Sequence, residues 1–97
     1  MPTSTGRPDL FVVVRLLEVI ASHPEGIRKT PLQLAAGVNY TVVARYLDQL
    51  VRRGLVELRS DPEGNERVFL TRRGVEALQF LVRGIGEVVG YRNPGTV

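Results

Sequence analysis

One stretch of the sequence, from Asn39 to Glu57, constrains the fold more than any other. Its apolar residues recur mostly at steps of three and four, which is the spacing of a single buried face on an α-helix. Asn39 is a favourable N-cap residue and Gly54 suits the position just past a helix end, so we expect the helix to lie between them. The predicted inward face consists of Tyr40, Val43, Leu47, Leu50 and Val51, with Tyr46 at its edge.

A second, shorter helix is predicted immediately upstream. The run Thr30-Pro31-Leu32-Gln33 has the pattern of a capping box, with the threonine as N-cap and the proline at the first helical position. This helix would end at Ala36, and the next three residues would form a turn. Two helices joined by so short a turn are typical of a helix-turn-helix, but other antiparallel helix pairs have the same pattern.

The residues that follow distinguish these two alternatives. Leu55 to Ser60 and Glu66 to Leu70 have the composition of strands, and the segment between them, Asp61 to Asn65, is rich in turn-forming residues. A hairpin directly after the second helix of a helix-turn-helix is a wing. With a first helix from about Asp9 to Ser22, the predicted fold is a mostly helical α+β winged helix-turn-helix, which has three helices and a two-stranded wing.

Two helices carry more apolar surface than one small domain can cover. The first helix is apolar on most sides, and a last helix, predicted from Arg72 to about Gly90 with Thr71 as its N-cap, has a heptad seam. We therefore expect a homodimer joined mainly through a C-terminal dimerisation helix. The predicted dimerisation residues are Val12, Leu16, Val75, Leu78, Val82, Ile85 and Val89. The expected organisation is a tail at 1–8, a winged helix-turn-helix domain at 9–71, the dimerisation helix at 72–90 and a tail at 91–97.

The composition argues against several classes of function. The sequence has no cysteine and one histidine, so we expect no metal site, and His23 is expected to cap carbonyl groups at a helix end. We find no phosphate-binding glycine loop and no nucleophile motif, so we expect neither an enzyme nor a bound cofactor. Because no apolar run reaches membrane-spanning length, we expect a cytoplasmic protein that does not enter membranes.

The charged residues indicate a nucleic-acid partner. The formal net charge is +3, and all but one of the 13 basic residues are arginine, whose guanidinium group suits phosphates and guanine edges. The helix from Tyr40 would enter the major groove of double-stranded DNA, where Thr41 and Arg45 would face base edges. The full set of predicted DNA contacts is Arg28, Lys29, Asn39, Tyr40, Thr41, Ala44, Arg45, Arg52, Arg59 and Arg67.

Asp48 leaves a second hypothesis open. It lies at helical spacing between Arg45 and Arg52, so we expect it to pair with one of them. An outward face that is partly neutralised in this way, on a chain of low net charge, also suits a winged helix that binds another protein instead of DNA.

Two segments resemble a known family, the small archaeal winged-helix DNA-binding proteins. The first comprises Asn39-Tyr40, Tyr46-Leu47-Asp48-Gln49-Leu50 and Arg53-Gly54-Leu55-Val56, and the second is Phe69-Leu70-Thr71-Arg72-Arg73-Gly74. The resemblance covers about Asp9 to Val89. It implies dimers joined by an antiparallel coiled coil, which bind double-stranded DNA as transcription regulators or as chromatin-associated proteins of the nucleoid. The glycine-rich last helix departs from the family pattern and favours a compact helical interface over a long coiled coil.

Overall fold

The computed structural model describes residues 9–89, with side chains up to residue 87. Its elements are α1 (Leu10–Ala21), α2 (Lys29–Ala36), α3 (Tyr40–Arg52), β1 (Val56–Ser60), β2 (Glu66–Leu70) and α4 (Arg72–Val89). The predicted fold class, a winged helix-turn-helix with a further C-terminal helix, is confirmed. The predicted tails at 1–8 and 91–97, Gly90 and the side chain of Val89 lie outside the described residues.

Helix α1 supplies the centre of the core. Its N-cap is Asp9, whose Oδ1 accepts a hydrogen bond of 2.9 Å from the backbone N–H of Phe11. The buried face consists of Val13, Leu16, Leu17 and Ile20. Leu10 and Ala21 lie at the two ends of the helix and are exposed although they are apolar. At the other end, His23 Nδ1 lies 2.8 Å from the carbonyl oxygen of Val19, which confirms the predicted capping role.

Helix α2 begins earlier than its sequence pattern indicates. It starts at Lys29 after Arg28, which makes no capping hydrogen bond with its side chain, so the predicted capping box at Thr30 is wrong. Pro31 is the third helical residue, and it is tolerated there because the first-turn N–H groups have no partner within the helix. Only Leu32 and Ala36 are buried, and Leu34 is 70% exposed.

Helix α3 has the predicted bounds and N-cap. Asn39 Oδ1 accepts a hydrogen bond of 2.9 Å from Val42 N–H, and Gly54 adopts the left-handed conformation, with φ of 74°, just past the C-cap. The inward face is narrower than predicted and consists of Val43, Tyr46, Leu47 and Leu50. Tyr40 and Val51 are 49% and 37% exposed, so the prediction that they are buried is wrong. Tyr46 is buried instead, and its hydroxyl oxygen accepts a hydrogen bond from Asp9 N–H.

The wing is a two-stranded antiparallel sheet whose register runs from Val56 opposite Leu70 to Ser60 opposite Glu66. Because side chains alternate along a strand, Val56 and Val68 point into the core, where they are 2% and 0% exposed. The alternate residues form the outer face of the wing, which consists of Glu57, Arg59, Arg67 and Phe69. Ile27 pairs with Val68 on the free side of β2 and so attaches the wing to the segment before α2.

Close contacts at Thr71 and Gly74 fix the angle between the wing and α4. Thr71 Oγ1 donates to the carbonyl oxygen of Gly54 at 2.6 Å and accepts a hydrogen bond from Gly74 N–H at 3.0 Å, so Thr71 caps α4 as predicted. A Cβ atom at Gly74 would overlap the carbonyl oxygen of Leu55. This close approach explains why the junction has glycine in the first turn of α4.

Helix α4 packs across α1 and against β2. Leu78 and Leu81 contact the core, whereas Val75 and Phe80 are 41% and 75% exposed. Among the helices described, none combines the length and the apolar character that crossing a membrane requires.

Candidate nucleic-acid interface

The outward face of α3 is held in position by the core and is open to contact. Val43 and Leu47, at 0% and 3% exposure, anchor the helix from the inside. Thr41, Ala44 and Arg45 lie on the exposed side of its first two turns. The major groove of DNA is wide enough to admit an α-helix. The exposed face of α3 carries the short polar and guanidinium side chains that a helix in such a groove would use.

Two arginines on this face have different surroundings. Arg52 Nη2 lies 3.2 Å from Asp48 Oδ2 in an exposed pair at i,i+4 spacing, which confirms that Asp48 pairs with one of its neighbours. In the described part of the chain, no carboxylate lies within 4.0 Å of the Arg45 guanidinium. Arg45 is therefore the basic group on the outward face whose hydrogen-bond donors are not occupied by an acid.

The two basic residues at the start of α2 face the tip of the wing. Lys29 Nζ lies 3.0 Å from Glu66 Oε1. Arg28 Nη2 lies 3.7 Å from Asp61 Oδ2 and 3.9 Å from Glu63 Oε1. These side chains are placed together, as a phosphate clamp requires, but each already has an anionic neighbour.

The wing arginines are also paired. Arg59 lies 3.3 Å from Glu57 Oε2, and its guanidinium stacks 3.8 Å above the centre of the Phe69 ring. Arg67 donates from Nε to Asp61 Oδ2 at 3.1 Å and from Nη1 to the carbonyl oxygen of Gly26 at 3.1 Å. Its side chain is 30% exposed, whereas that of Arg59 is 57% exposed. Arg59 is thus presented to solvent, and Arg67 holds the wing against the loop before α2.

Asp61 organises the tip of the wing. Its Oδ1 accepts hydrogen bonds from Asn65 N–H at 2.9 Å and from Glu63 N–H at 3.0 Å, and its side chain is 8% exposed. The bond from Asn65 above all, together with Arg67 and the Glu63 N–H, holds the pKa of this carboxyl below its ordinary value of 3.8, although desolvation acts in the opposite direction. The turn is thereby built around a carboxylate that stays ionised.

The predicted dimerisation residues lie in different environments. Leu16 is 0% exposed and lies inside the core of the single chain, and Val12 and Leu78 pack partly against that core. Val82 and Ile85 line a groove between α1 and α4, together with Phe11 and Val14. The structure thus brings the apolar surfaces of α1 and α4 together and leaves a half-open groove between them.

Sequence reasoning missed two features of these surfaces. The first is the pairing of the wing acids with the base of α2, which joins residues far apart in the sequence. The second is the exposure of Phe11 at 60% and Phe80 at 75%. Helical periodicity contained a signal for the second, because Phe80 lies off the predicted seam.

The sequence was also compared with models of protein families. Residues 7–86 match the family model described as winged helix-turn-helix. The chain belongs to the winged helix-turn-helix family. This is a DNA-binding family whose members are typically not enzymes. No curated protein sequence matches the chain.

Solved structures share the fold at low sequence identity. MepR, a transcription regulator of the Staphylococcus aureus multidrug efflux pump MepA, is 18% identical with a TM-score of 0.71 over 78% of this chain. Sso10a-2, a DNA-binding protein from Sulfolobus solfataricus, is 23% identical with a TM-score of 0.70 over 84% of this chain and 81% of its own. F93 from STIV, a winged-helix DNA-binding protein, is 16% identical with a TM-score of 0.76 over 90% of this chain and 100% of its own. The chain described here covers only 57% of the length of MepR.

Proposed function

We propose that this winged-helix protein binds double-stranded DNA through the outward face of α3, as a repressor-like transcription regulator or a chromatin-associated protein. The observation that carries the proposal is the position of Arg45, exposed beside Thr41 and Ala44 on a helix that the core holds rigidly. A guanidinium that has no carboxylate neighbour among the described residues, on the N-terminal half of such a helix, is suited to the O6 and N7 atoms of guanine. A role on DNA also implies a cytoplasmic, nucleoid-associated protein.

The other predicted contacts would supply affinity for the phosphate backbone. Asn39 and Tyr40 are exposed at the N-terminus of α3, where backbone N–H groups and the helix dipole favour a phosphate. Arg28, Lys29, Arg52 and Arg59 would exchange their carboxylate partners for phosphates. Arg67, which is tied to Asp61 and to Gly26, would position the wing.

We infer that the protein acts as a homodimer, with α4 as the dimerisation helix. The apolar groove between α1 and α4 supports this proposal, since Phe11, Val14, Val82 and Ile85 line it and Phe11 is largely exposed. A second copy of the chain would cover this surface by the symmetric contact that most dimers use.

Two structural relatives support a role in DNA binding. The chain spans most of the archaeal Sso10a-2 and all of F93, both of which are described as DNA-binding proteins, but little more than half of MepR.

The proposal is tested by titrating labelled duplexes of selected and random sequence at two salt concentrations. We expect binding that weakens steeply with salt, because phosphate contacts release counterions. A higher affinity for selected sequences would identify a regulator, and equal affinities would identify a chromatin protein. No retardation of any duplex at low salt would contradict the proposal.

A second candidate function, protein binding without DNA, is favoured by a specific observation. Five of the six basic residues in the predicted DNA contacts have carboxylate neighbours within 4.0 Å, namely Arg28, Lys29, Arg52, Arg59 and Arg67. For this alternative, the same titration would show no binding, and a protein partner would be recovered in a pull-down.

A further inference from the structure

The wing has the opposite charge from the rest of the proposed DNA surface. Residues 56–70 contain four acidic and two basic residues, a formal charge of −2, whereas residues 28–53 contain five basic residues and one acidic residue, a formal charge of +4. A negatively charged element beside a DNA-binding helix opposes association, because it repels the phosphates. The position of its acids therefore matters for affinity.

The acids of the wing tip are directed at the start of α2. Glu66 lies 3.0 Å from Lys29, and Glu63 lies 3.9 Å from Arg28, which also faces Asp61 at 3.7 Å. Each basic side chain that precedes or opens α2 thus has a wing carboxylate within ion-pair distance. The two elements are brought together by the pairing of Ile27 with Val68 and by the hydrogen bond from Arg67 to Gly26.

The two glutamates have no evident role in building the turn. Of the three acidic side chains at the wing tip, only that of Asp61 accepts backbone hydrogen bonds of the turn within the described residues, and it is 8% exposed. The side chains of Glu63 and Glu66 are 74% and 49% exposed, and their carboxylates contact only basic side chains within the described residues. Their effect is therefore electrostatic, and it acts on the positive charges of Arg28 and Lys29.

We propose that Glu63 and Glu66 act as internal competitors for DNA phosphates, occupying Arg28 and Lys29 in the free protein and giving them up when a duplex binds. The inference rests on the proposed function, since it assigns a control of affinity to the same surface. Each phosphate contact then replaces an existing ion pair, so the gain in affinity is smaller. The freed carboxylates also take up cations, so fewer counterions are released in total and binding depends less on salt.

A double-mutant cycle between Lys29 and Glu66 tests this directly. Glu66→Gln keeps the size of the side chain and removes its charge. We expect it to tighten binding to random duplex about two- to fivefold at low salt, and to steepen the dependence of affinity on salt. In a Lys29→Gln background, the same substitution should tighten binding much less, because it then removes only the repulsion between Glu66 and the phosphates. A parallel cycle between Arg28 and Glu63 gives an independent measurement, and circular dichroism verifies that each variant is folded.

Simple repulsion between Glu66 and DNA is the competing explanation. The Lys29→Gln background measures that repulsion, and Glu87→Gln, which removes the same charge from an exposed position near the end of α4, measures the effect of net charge alone. Equal tightening by Glu66→Gln in the two backgrounds would overturn the inference, as would no tightening in either. These outcomes leave the proposed function intact, whereas failure of the wild-type protein to bind any duplex would overturn the proposed function itself.

Discussion

At the scale of single residues, the basic side chains differ in whether they already have a partner within the protein. A side chain without one is free to contact a base, whereas a paired one is better suited to bind the phosphate backbone or to hold the wing in position. Arg52, Arg59 and Arg67 are hydrogen-bonded or ion-paired within the protein, whereas Arg45 has no carboxylate within 4.0 Å in the described part of the chain. Moving a paired arginine onto DNA breaks an existing contact, but moving Arg45 breaks none. The sequence reveals only part of this difference, because the Arg52 pair follows from helical spacing, whereas the hydrogen bond from Arg67 to Gly26 joins residues 41 positions apart.

Replacing Arg45 with alanine is expected to lower affinity for the selected sequence by ~1–3 kcal/mol, with a smaller effect on random sequence. The reason is that a bidentate contact to guanine is lost only where guanine is present. Arg52→Ala is the matched control. It should weaken binding to all sequences equally and reduce the salt slope by about one. If neither variant changes affinity, α3 is not the DNA-binding face.

Asp61 is expected to make stability depend on acid pH. Because its pKa is lower in the folded protein than the ordinary 3.8, the folded state binds the proton less readily than the unfolded state. The stabilisation is therefore fully present above that value and is lost as the pH falls through the lower pKa of the folded state. Urea denaturation across this range should show Asp61→Asn to be less stable than wild type at neutral pH, with a difference that shrinks on acidification.

Asp48→Asn is the control for this measurement. It also removes one carboxylate, but Asp48 belongs to an exposed pair with Arg52, so stability at neutral pH should change little. A constant difference between wild type and Asp61→Asn at every pH would show that the carboxylate charge is not what stabilises the turn.

At the scale of elements, the junction between the wing and α4 depends on a glycine that cannot be replaced. Gly74→Ala places a methyl group against the Leu55 carbonyl oxygen and the Leu70 side chain, so we expect destabilisation of ~1–3 kcal/mol. Gly84→Ala, in the same helix, meets no atom within 4 Å of the new Cβ and should stabilise by up to ~1 kcal/mol. Thermal denaturation of the two variants compares them, and equal effects would contradict the close packing at Gly74.

Most elements were predictable because local signals specify them. Asn39, Gly54 and Thr71 have the capping or left-handed roles that their residue types favour, and the bounds of β2 follow from the turn before it. The start of α2 was not predictable in the same way. Thr30-Pro31 fits a helix start, but the tertiary fold extends the helix back to Lys29.

The surface was harder to predict than the core. The exposure of Thr41 and Arg45 follows from the helical spacing around Val43 and Leu47, which are buried. The partners of Arg28 and Lys29 could not be predicted from such spacing. A contact between residues more than 30 positions apart depends on how the wing folds back. Tyr46 was misplaced for a related reason, because its buried hydroxyl is satisfied only by the distant Asp9.

At the scale of the whole molecule, the groove between α1 and α4 should determine the oligomeric state. We expect wild type to sediment at micromolar concentration as a dimer, at twice the monomer mass of 10.8 kDa. Phe11→Glu places a charge in the groove at a side chain that is 60% exposed, so it should yield folded monomers. Leu34→Glu, at a 70% exposed position on α2, should remain dimeric. Wild type at the monomer mass would refute the dimer.

The pairing of Ile27 with Val68 has a consequence for how the molecule folds. Two backbone hydrogen bonds, of 3.0 Å and 2.8 Å, join positions separated by 41 residues. The chain between them must close a long loop before either bond forms, which slows folding relative to a bundle with local contacts only. The same bonds lie beside the buried Val68 side chain, so their amide hydrogens should exchange with solvent only when the whole domain unfolds. These two amides therefore report the free energy of global opening, which a ligand bound to the folded domain would raise.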